Sequence, residues 1–154
     1  DRQRISQVMT NLISNAIKHS FDGGEVVVSF GTSKKNVITR VQDFGEGISP
    51  EHLARIFERF YRVDKSRSRE KGGTGLGLSI SREIARLLGG ELQVRSNPGE
   101  GSTFTLFILT SIGVIPVVFR TGGVSGDGSF SAWSQSTVPV SASNPYARPV
   151  TSTA

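Results

Sequence analysis

The sequence contains no cysteine. A disulfide framework, a thiol nucleophile and a cysteine-based zinc site are thereby excluded. Histidine is nearly as scarce, and the two present, His19 and His52, stand 33 residues apart, which suggests no metal pair. No apolar run approaches the roughly 18 to 20 residues that cross a bilayer as a helix. The longest candidate, Ile112 to Phe119, is short and interrupted by Gly113 and Pro116. With 154 residues the chain is too short for a βα barrel, which needs roughly 250. A hydrophobic content of 36% is low for a wholly globular chain, so part of it is expected to lie outside the core.

The low-hydrophobicity part is the end. From about Ser111 onward the composition shifts to Ser, Thr, Gly and Pro, with only Arg120, Asp127 and Arg148 charged. Residues 111–154 are expected to be a disordered tail, with a short edge strand at Val114 to Phe119 as the alternative. The net charge is +5, and residues 1–110 hold sixteen bases and twelve acids, a balance of +4. Most of the excess sits in one loop, so a local anion site is expected in preference to a nucleic-acid stripe. The chain begins at Asp1 and enters a helix directly. It therefore reads as a fragment, with any signal peptide or membrane anchor upstream and no membrane contact by this segment.

Within residues 1–19, Ile5, Val8, Met9, Leu12, Ile13, Ala16 and Ile17 recur at helical spacing. Asn11, Asn15 and Lys18 fall on a narrow strip beside that apolar face. Phe21 to Gly24 ends the helix, and two β-branched runs follow, Glu25 to Phe30 and Val37 to Gln42, joined by a polar turn. Ser49-Pro50-Glu51 supplies a cap, a proline at the first helical position and a first-turn acid. A short helix should run from there to about Phe57. Residues 58–75 carry Arg59, Arg62, Lys65, Arg67, Arg69 and Lys71 and end in Gly72-Gly73-Thr74-Gly75, a long basic loop of the kind used as a functional lid. A second helix places Ile80, Ile84, Leu87 and Leu88 at core spacing before Gly89-Gly90 stops it. Glu91 to Asn97 and Thr103 to Leu109 close the pattern as a hairpin. This order predicts an α+β fold with a mostly antiparallel sheet and helices on one face.

Three segments carry chemistry. Asn11 and Asn15, one turn apart with Lys18 beyond, offer carboxamide oxygens to a hard cation, amide hydrogens to phosphate and a point charge; a solvated helix face explains them equally well. Asp43-Phe-Gly-Glu-Gly-Ile48 puts a carboxylate at a strand end, able to accept from an exocyclic amine, although a plain glycine turn fits the same letters. Asp43-Phe44-Gly45 also resembles a kinase metal-binding loop, but no His-Arg-Asp segment accompanies it and the chain is too short. Gly73-Thr-Gly-Leu-Gly-Leu78 opens a helix whose free N–H groups suit phosphates. It is not a Walker A loop, since no Gly-Lys-Ser/Thr follows. His19 either stacks on a base or ends its helix, and His52 is expected to be solvated.

Together, Asn11-Leu-Ile-Ser-Asn-Ala-Ile-Lys-His19, Asp43 to Ile48, Ile56-Phe-Glu-Arg-Phe-Tyr-Arg-Val-Asp64 and Gly73 to Leu78 resemble the N, G1, F and G2 boxes of bacterial-type sensor histidine kinases, in the same order and spacing. Glu91 to Leu109 resembles the family's closing hairpin, so the likeness covers residues 1–110. It implies a two-layer α/β sandwich of the gyrase, chaperone, histidine-kinase and mismatch-repair (GHKL, or Bergerat) type, lacking the strand and helix that precede the N box. The resemblance implies ATP and Mg²⁺ as cofactors, with Asn15 on the metal and Asn11 and Lys18 on phosphates. His19 would lie near the base, Asp43 would read the adenine amine, and Gly45, Gly47 and Ile48 would shape its pocket. Arg62 would reach the terminal phosphate, the backbone of Thr74, Gly75, Leu76, Gly77 and Leu78 would present amides, and Thr103 would lie near the adenine end. Asn11, Lys18 and Arg62 are thus the implied catalytic set.

Related ATPases carry a Glu where Asn11 stands, and a carboxamide cannot deprotonate water. The expected activity is therefore transfer of the γ-phosphate to a histidine on a separate dimerisation domain, with a response regulator receiving it. A homodimeric full-length protein, cytoplasmic in this part and anchored in a membrane elsewhere, is implied as well. The alternative from another class is a degenerate nucleotide- or protein-binding module without phosphotransfer.

Overall fold

A computed structural model describes residues 1–33, 36–63, 74–109 and 134–140. Helix α1 (Arg2–His19) is followed by strands β1 (Glu25–Thr32) and β2 (Asn36–Asp43), helices α2 (Pro50–Leu53) and α3 (Gly77–Leu87), and strands β3 (Glu91–Asn97), β4 (Gly101–Leu109) and β5 (Ser134–Pro139). The strands form one sheet in the order β3-β4-β2-β1-β5, and every pairing is antiparallel. Both long helices lie side by side on one face of it, α1 against β1 and β2, α3 against β3 and β4.

Local sequence explains the elements. Asp1 caps α1 by accepting the Arg4 N–H at 3.1 Å, and Lys18 and His19 occupy the negative end of its dipole. Val8, Leu12 and Ala16, four residues apart, form its buried stripe. That stripe packs with Ile84 and Ala85 of α3 onto Val26, Val28, Val41, Phe104 and Leu106 of the sheet. In β1 and β2 the paired residues Val26↔Asp43 and Val28↔Val41 share the helix-covered face. Asp43 is thus carried into the core layer by strand periodicity.

Three expectations need correction. Helix α2 stops at Leu53, and the chain continues in turns, with the Arg55, Ile56 and Glu58 N–H groups donating to carbonyls three or four residues back. In α3 the buried residues are Ser81, Ile84 and Ala85, whereas Ile80 and Leu87 are 38% and 63% exposed. The stripe facing the sheet runs Leu78, Ser81, Ile84, Ala85, Leu88, so a polar residue takes a core position that Ile80 was expected to hold. Third, within the segment read as a disordered tail, Ser134–Pro139 form β5, which pairs along β1. Val114 to Phe119, the strand considered there, lies outside the described residues, as do Lys65, Arg67, Arg69 and Lys71 of the basic loop.

Candidate nucleotide-binding site

The N-box strip, the Asp43 loop and the start of α3 meet along one continuous rim. At its centre Asn11, half-buried, donates through Nδ2 to the Gly77 carbonyl at 3.3 Å and to Ser81 Oγ at 3.2 Å. The side chain read as a phosphate ligand therefore also ties α1 to the first turn of α3. Ser81, fully buried, escaped the sequence reading; a serine in an apolar stripe at i, i+3, i+4, i+7 requires a partner, and that requirement was the available signal. One turn on, Asn15 is half-buried and its carboxamide has no hydrogen-bond partner among the described residues. Lys18 and His19 close the helix beyond it.

Asp43 ends β2 and is 3% exposed. Its Oδ1 accepts the N–H groups of Gly45 at 3.1 Å and Ser102 at 3.2 Å, while Oδ2 has no such partner among the described residues. Desolvation raises its pKa above 3.8, and the two backbone N–H groups oppose that rise without cancelling it. A buried carboxylate with one oxygen clamped and the other open is a hydrogen-bond acceptor of fixed direction.

The glycines beside Asp43 have a packing cause. A Cβ on Gly45 would lie 1.9 Å from the His19 carbonyl oxygen, and one on Gly47, whose φ is +68°, would lie 2.0 Å from that of Asn97. The loop is wedged between the end of α1 and the β3–β4 turn, where only backbone fits. His19 Nδ1 then meets Glu46 Oε1 at 3.1 Å, an exposed contact that links the N-box helix to the same loop. On the other side the Ile48 N–H donates to Ser96 Oγ at 2.8 Å, and that hydroxyl also contacts the Gly101 carbonyl and Ser102 Oγ. Ser96 and Ser102 were missed by sequence reasoning.

Thr103 does not join them. It pairs with Gln42, one residue out of step with the Asp43↔Ser102 pair, so the pleat turns it to the opposite face of the sheet. Ser102 holds the position that Thr103 was expected to fill. Alternation from buried Phe104 was the signal that could have shown this.

The described ends of the basic loop form a neck. Phe60, with φ at +64°, donates its N–H to the Gly75 carbonyl at 3.0 Å, joining the two sides. Next to it the Tyr61 hydroxyl and His52 Nδ1 lie 2.7 Å apart, and the Arg55 guanidinium, paired with Glu58 at 3.0 Å, stacks 4.4 Å from the Tyr61 ring. His52 is thus half-buried and bonded, where a solvated side chain was expected. Arg62 follows as a half-buried residue of this neck. Across it α3 starts at Gly77, and its cap residue Leu76 supplies no side-chain acceptor. Among the described residues no side chain caps the first-turn N–H groups of α3, which suits them to another acceptor.

Among the described residues no group of three or more His, Cys, Asp or Glu is gathered for a metal. Asn15 fits a cation of another kind. A single carboxamide oxygen suits Mg²⁺ that arrives with phosphate oxygens and keeps water ligands, because Mg²⁺ seldom uses an all-protein cage.

Comparison with known proteins agrees with this geometry. Residues 1–112 match the family described as histidine kinase-, DNA gyrase B-, and HSP90-like ATPase. The sensor protein SrrB of Staphylococcus aureus is 43% identical over 106 residues, 69% of this chain and 18% of that protein. The chain therefore spans under a fifth of the length of that curated relative. Among solved structures, the mycobacterial sensor histidine kinase MprB matches with a TM-score of 0.61 and 27% identity, covering 71% of this chain and 72% of the other. Full-length ShkA in complex with AMPPNP matches with a TM-score of 0.62 and 30% identity, covering 74% of this chain and 23% of ShkA. The contacts of the N-box helix with the Asp43 loop and with the start of α3, a helix-backed antiparallel sheet and a match over residues 1–112 have one conclusion: the chain belongs to the histidine kinase-, DNA gyrase B- and HSP90-like ATPase family, with an ATP-binding domain of the GHKL fold found in sensor histidine kinases.

Proposed function

We propose that residues 1–110 are the catalytic domain of a two-component sensor histidine kinase, binding Mg·ATP and presenting its γ-phosphate to a histidine on a dimerisation domain outside this chain. A response regulator would accept the phosphate in turn. The observation that carries this reading is Asp43, buried at the rim with Oδ2 open beside the N-box helix. An adenine amine satisfies that oxygen. Gly45, Gly47 and Ile48 hold the loop that forms this wall, and His19 lies next to it.

Asn15 would hold the metal, which supplies charge neutralisation on the phosphates when bound. Lys18 would meet phosphate oxygens, Asn11 would do so by exchanging one of its two amide hydrogen bonds for a phosphate oxygen, Arg62 would approach from the neck, and the N–H groups from Thr74 to Leu78 would cradle the chain of phosphates. Transfer then rests on positioning and on charge, not on a protein-borne base. Asn11 supports that distinction: its amide nitrogen is engaged with Gly77 and Ser81, and a carboxamide offers no site that deprotonates water at neutral pH. Little ATP hydrolysis is expected from this chain alone.

The test is radiolabelled ATP with the chain and a separately prepared histidine-bearing dimerisation domain from a sensor kinase. Acid-labile label on that histidine, lost with Asn15→Ala, is the expected result. Binding of ATP without any label on the histidine would favour a nucleotide-binding module lacking phosphotransfer. Sustained hydrolysis by the chain alone would overturn the role given to Asn11.

A further inference from the structure

Asn11 commits its amide nitrogen to α3, donating to the Gly77 carbonyl at 3.3 Å and to Ser81 Oγ at 3.2 Å. A carbonyl only accepts, so the Gly77 contact fixes the nitrogen, not the oxygen, towards α3. The two acceptors are not equivalent. Gly77 opens α3, and helix geometry also gives its carbonyl the Ser81 N–H four residues on, so it keeps a partner when Asn11 leaves. Ser81 is 0% exposed, and its Oγ has no hydrogen-bond partner besides Asn11 among the described residues. Losing Asn11 would strand a hydroxyl that water does not reach. The Ser81 bond is therefore the costlier of the two to break.

We propose that Ser81 is the positioning residue for Asn11: it keeps one amide hydrogen in place while the other turns from the Gly77 carbonyl to a phosphate oxygen. This rests on the Mg·ATP reading of the site and identifies which of the two bonds is exchanged. An acceptor replaces an acceptor, so the carboxamide keeps its nitrogen on the same side throughout. The movement is short as well, because the carboxamide already lies against the start of α3, where a Cβ built on Gly77 would stand 3.6 Å from Asn11 Cγ. No side chain caps that helix start among the described residues, so a phosphate drawn to its N–H groups arrives beside Asn11. Ser81 itself touches no substrate. It acts by removing beforehand the rotational freedom that the carboxamide would otherwise lose on meeting the phosphate.

A double-mutant cycle on the full chain tests this, with Ser81→Ala, Asn11→Ala and the two combined, read by calorimetric titration of ATP and of adenosine and by thermal unfolding. Ser81→Ala should weaken ATP binding about five- to tenfold and leave adenosine binding unchanged. In the Asn11→Ala background the same change should leave ATP affinity unaltered and raise the melting temperature, because it deletes the stranded hydroxyl. Equal losses for ATP and adenosine would make Ser81 a packing residue and overturn the proposal. Unchanged ATP affinity in Ser81→Ala, or a loss that persists undiminished without Asn11, would overturn it too. In each of those cases ATP binding by the unaltered chain stands. No ATP binding by that chain, shown to be folded by circular dichroism, would overturn the reading of the site and the proposal with it.

Discussion

Asp43 binds two backbone N–H groups with one oxygen and leaves the other open, and burial raises its pKa above 3.8. Two pH dependences of opposite sign follow. As pH rises from that value towards the raised one, the unfolded chain releases this proton first, so the native state binds more protons and the Asp43 contribution to stability falls, levelling off above the window. Under the proposed role of Asp43, adenine recognition needs the ionised acceptor, so ATP affinity should rise with pH through the same raised pKa. Affinity measured against pH for the chain and for Asp43→Asn checks this, the variant lacking that step. Gly45→Ala tests the wedge: its Cβ would strike the His19 carbonyl, a backbone atom with no rotamer to yield, and a loss on the order of 2–4 kcal/mol in urea unfolding is expected. Sequence singled out Asp43 and Asn15 through the resemblance of their segments to known boxes, since each taken alone also fits a plain turn or a solvated helix face. The cause of Gly45 was hidden, because it lies in a carbonyl 26 residues away in the chain. Thr103 was misplaced although strand alternation from Phe104 carries the answer.

At the scale of elements, helix periodicity revealed α1 and α3, and β-branched runs revealed the two hairpins. What periodicity could not rank was Ile80 against Ser81 in α3, because a buried serine is tolerated only through Asn11, 70 positions away. The neck of the basic loop was equally hidden. Its order depends on His52 meeting Tyr61 and on Arg55 stacking over that ring, contacts that no motif spacing announces. Tyr61→Phe removes the hydroxyl and keeps the ring. It should lower stability by about 1 kcal/mol and weaken ATP binding severalfold, read by thermal unfolding and by titration, if the neck positions Arg62 and the loop. An unchanged ATP affinity would make the contact purely structural.

For the whole molecule, the sandwich architecture was legible, since each element contributes a local signal and the topology follows from their order. The fate of the C-terminal segment was not. A six-residue polar strand with a single valine carries almost no periodic signal, and Ser134–Pro139 is extended through its pairing along β1. The central claim, a Mg·ATP pocket built from Asn15 on α1 and Asp43 on β2, is tested most directly by calorimetric titration of ATP into the folded chain with and without Mg²⁺, alongside Asn15→Ala and Asp43→Ala. The account predicts binding strengthened at least tenfold by Mg²⁺, with that enhancement lost in Asn15→Ala and binding itself lost in Asp43→Ala. Binding that is indifferent to both substitutions, or no binding by a chain whose circular dichroism shows it folded, would contradict it.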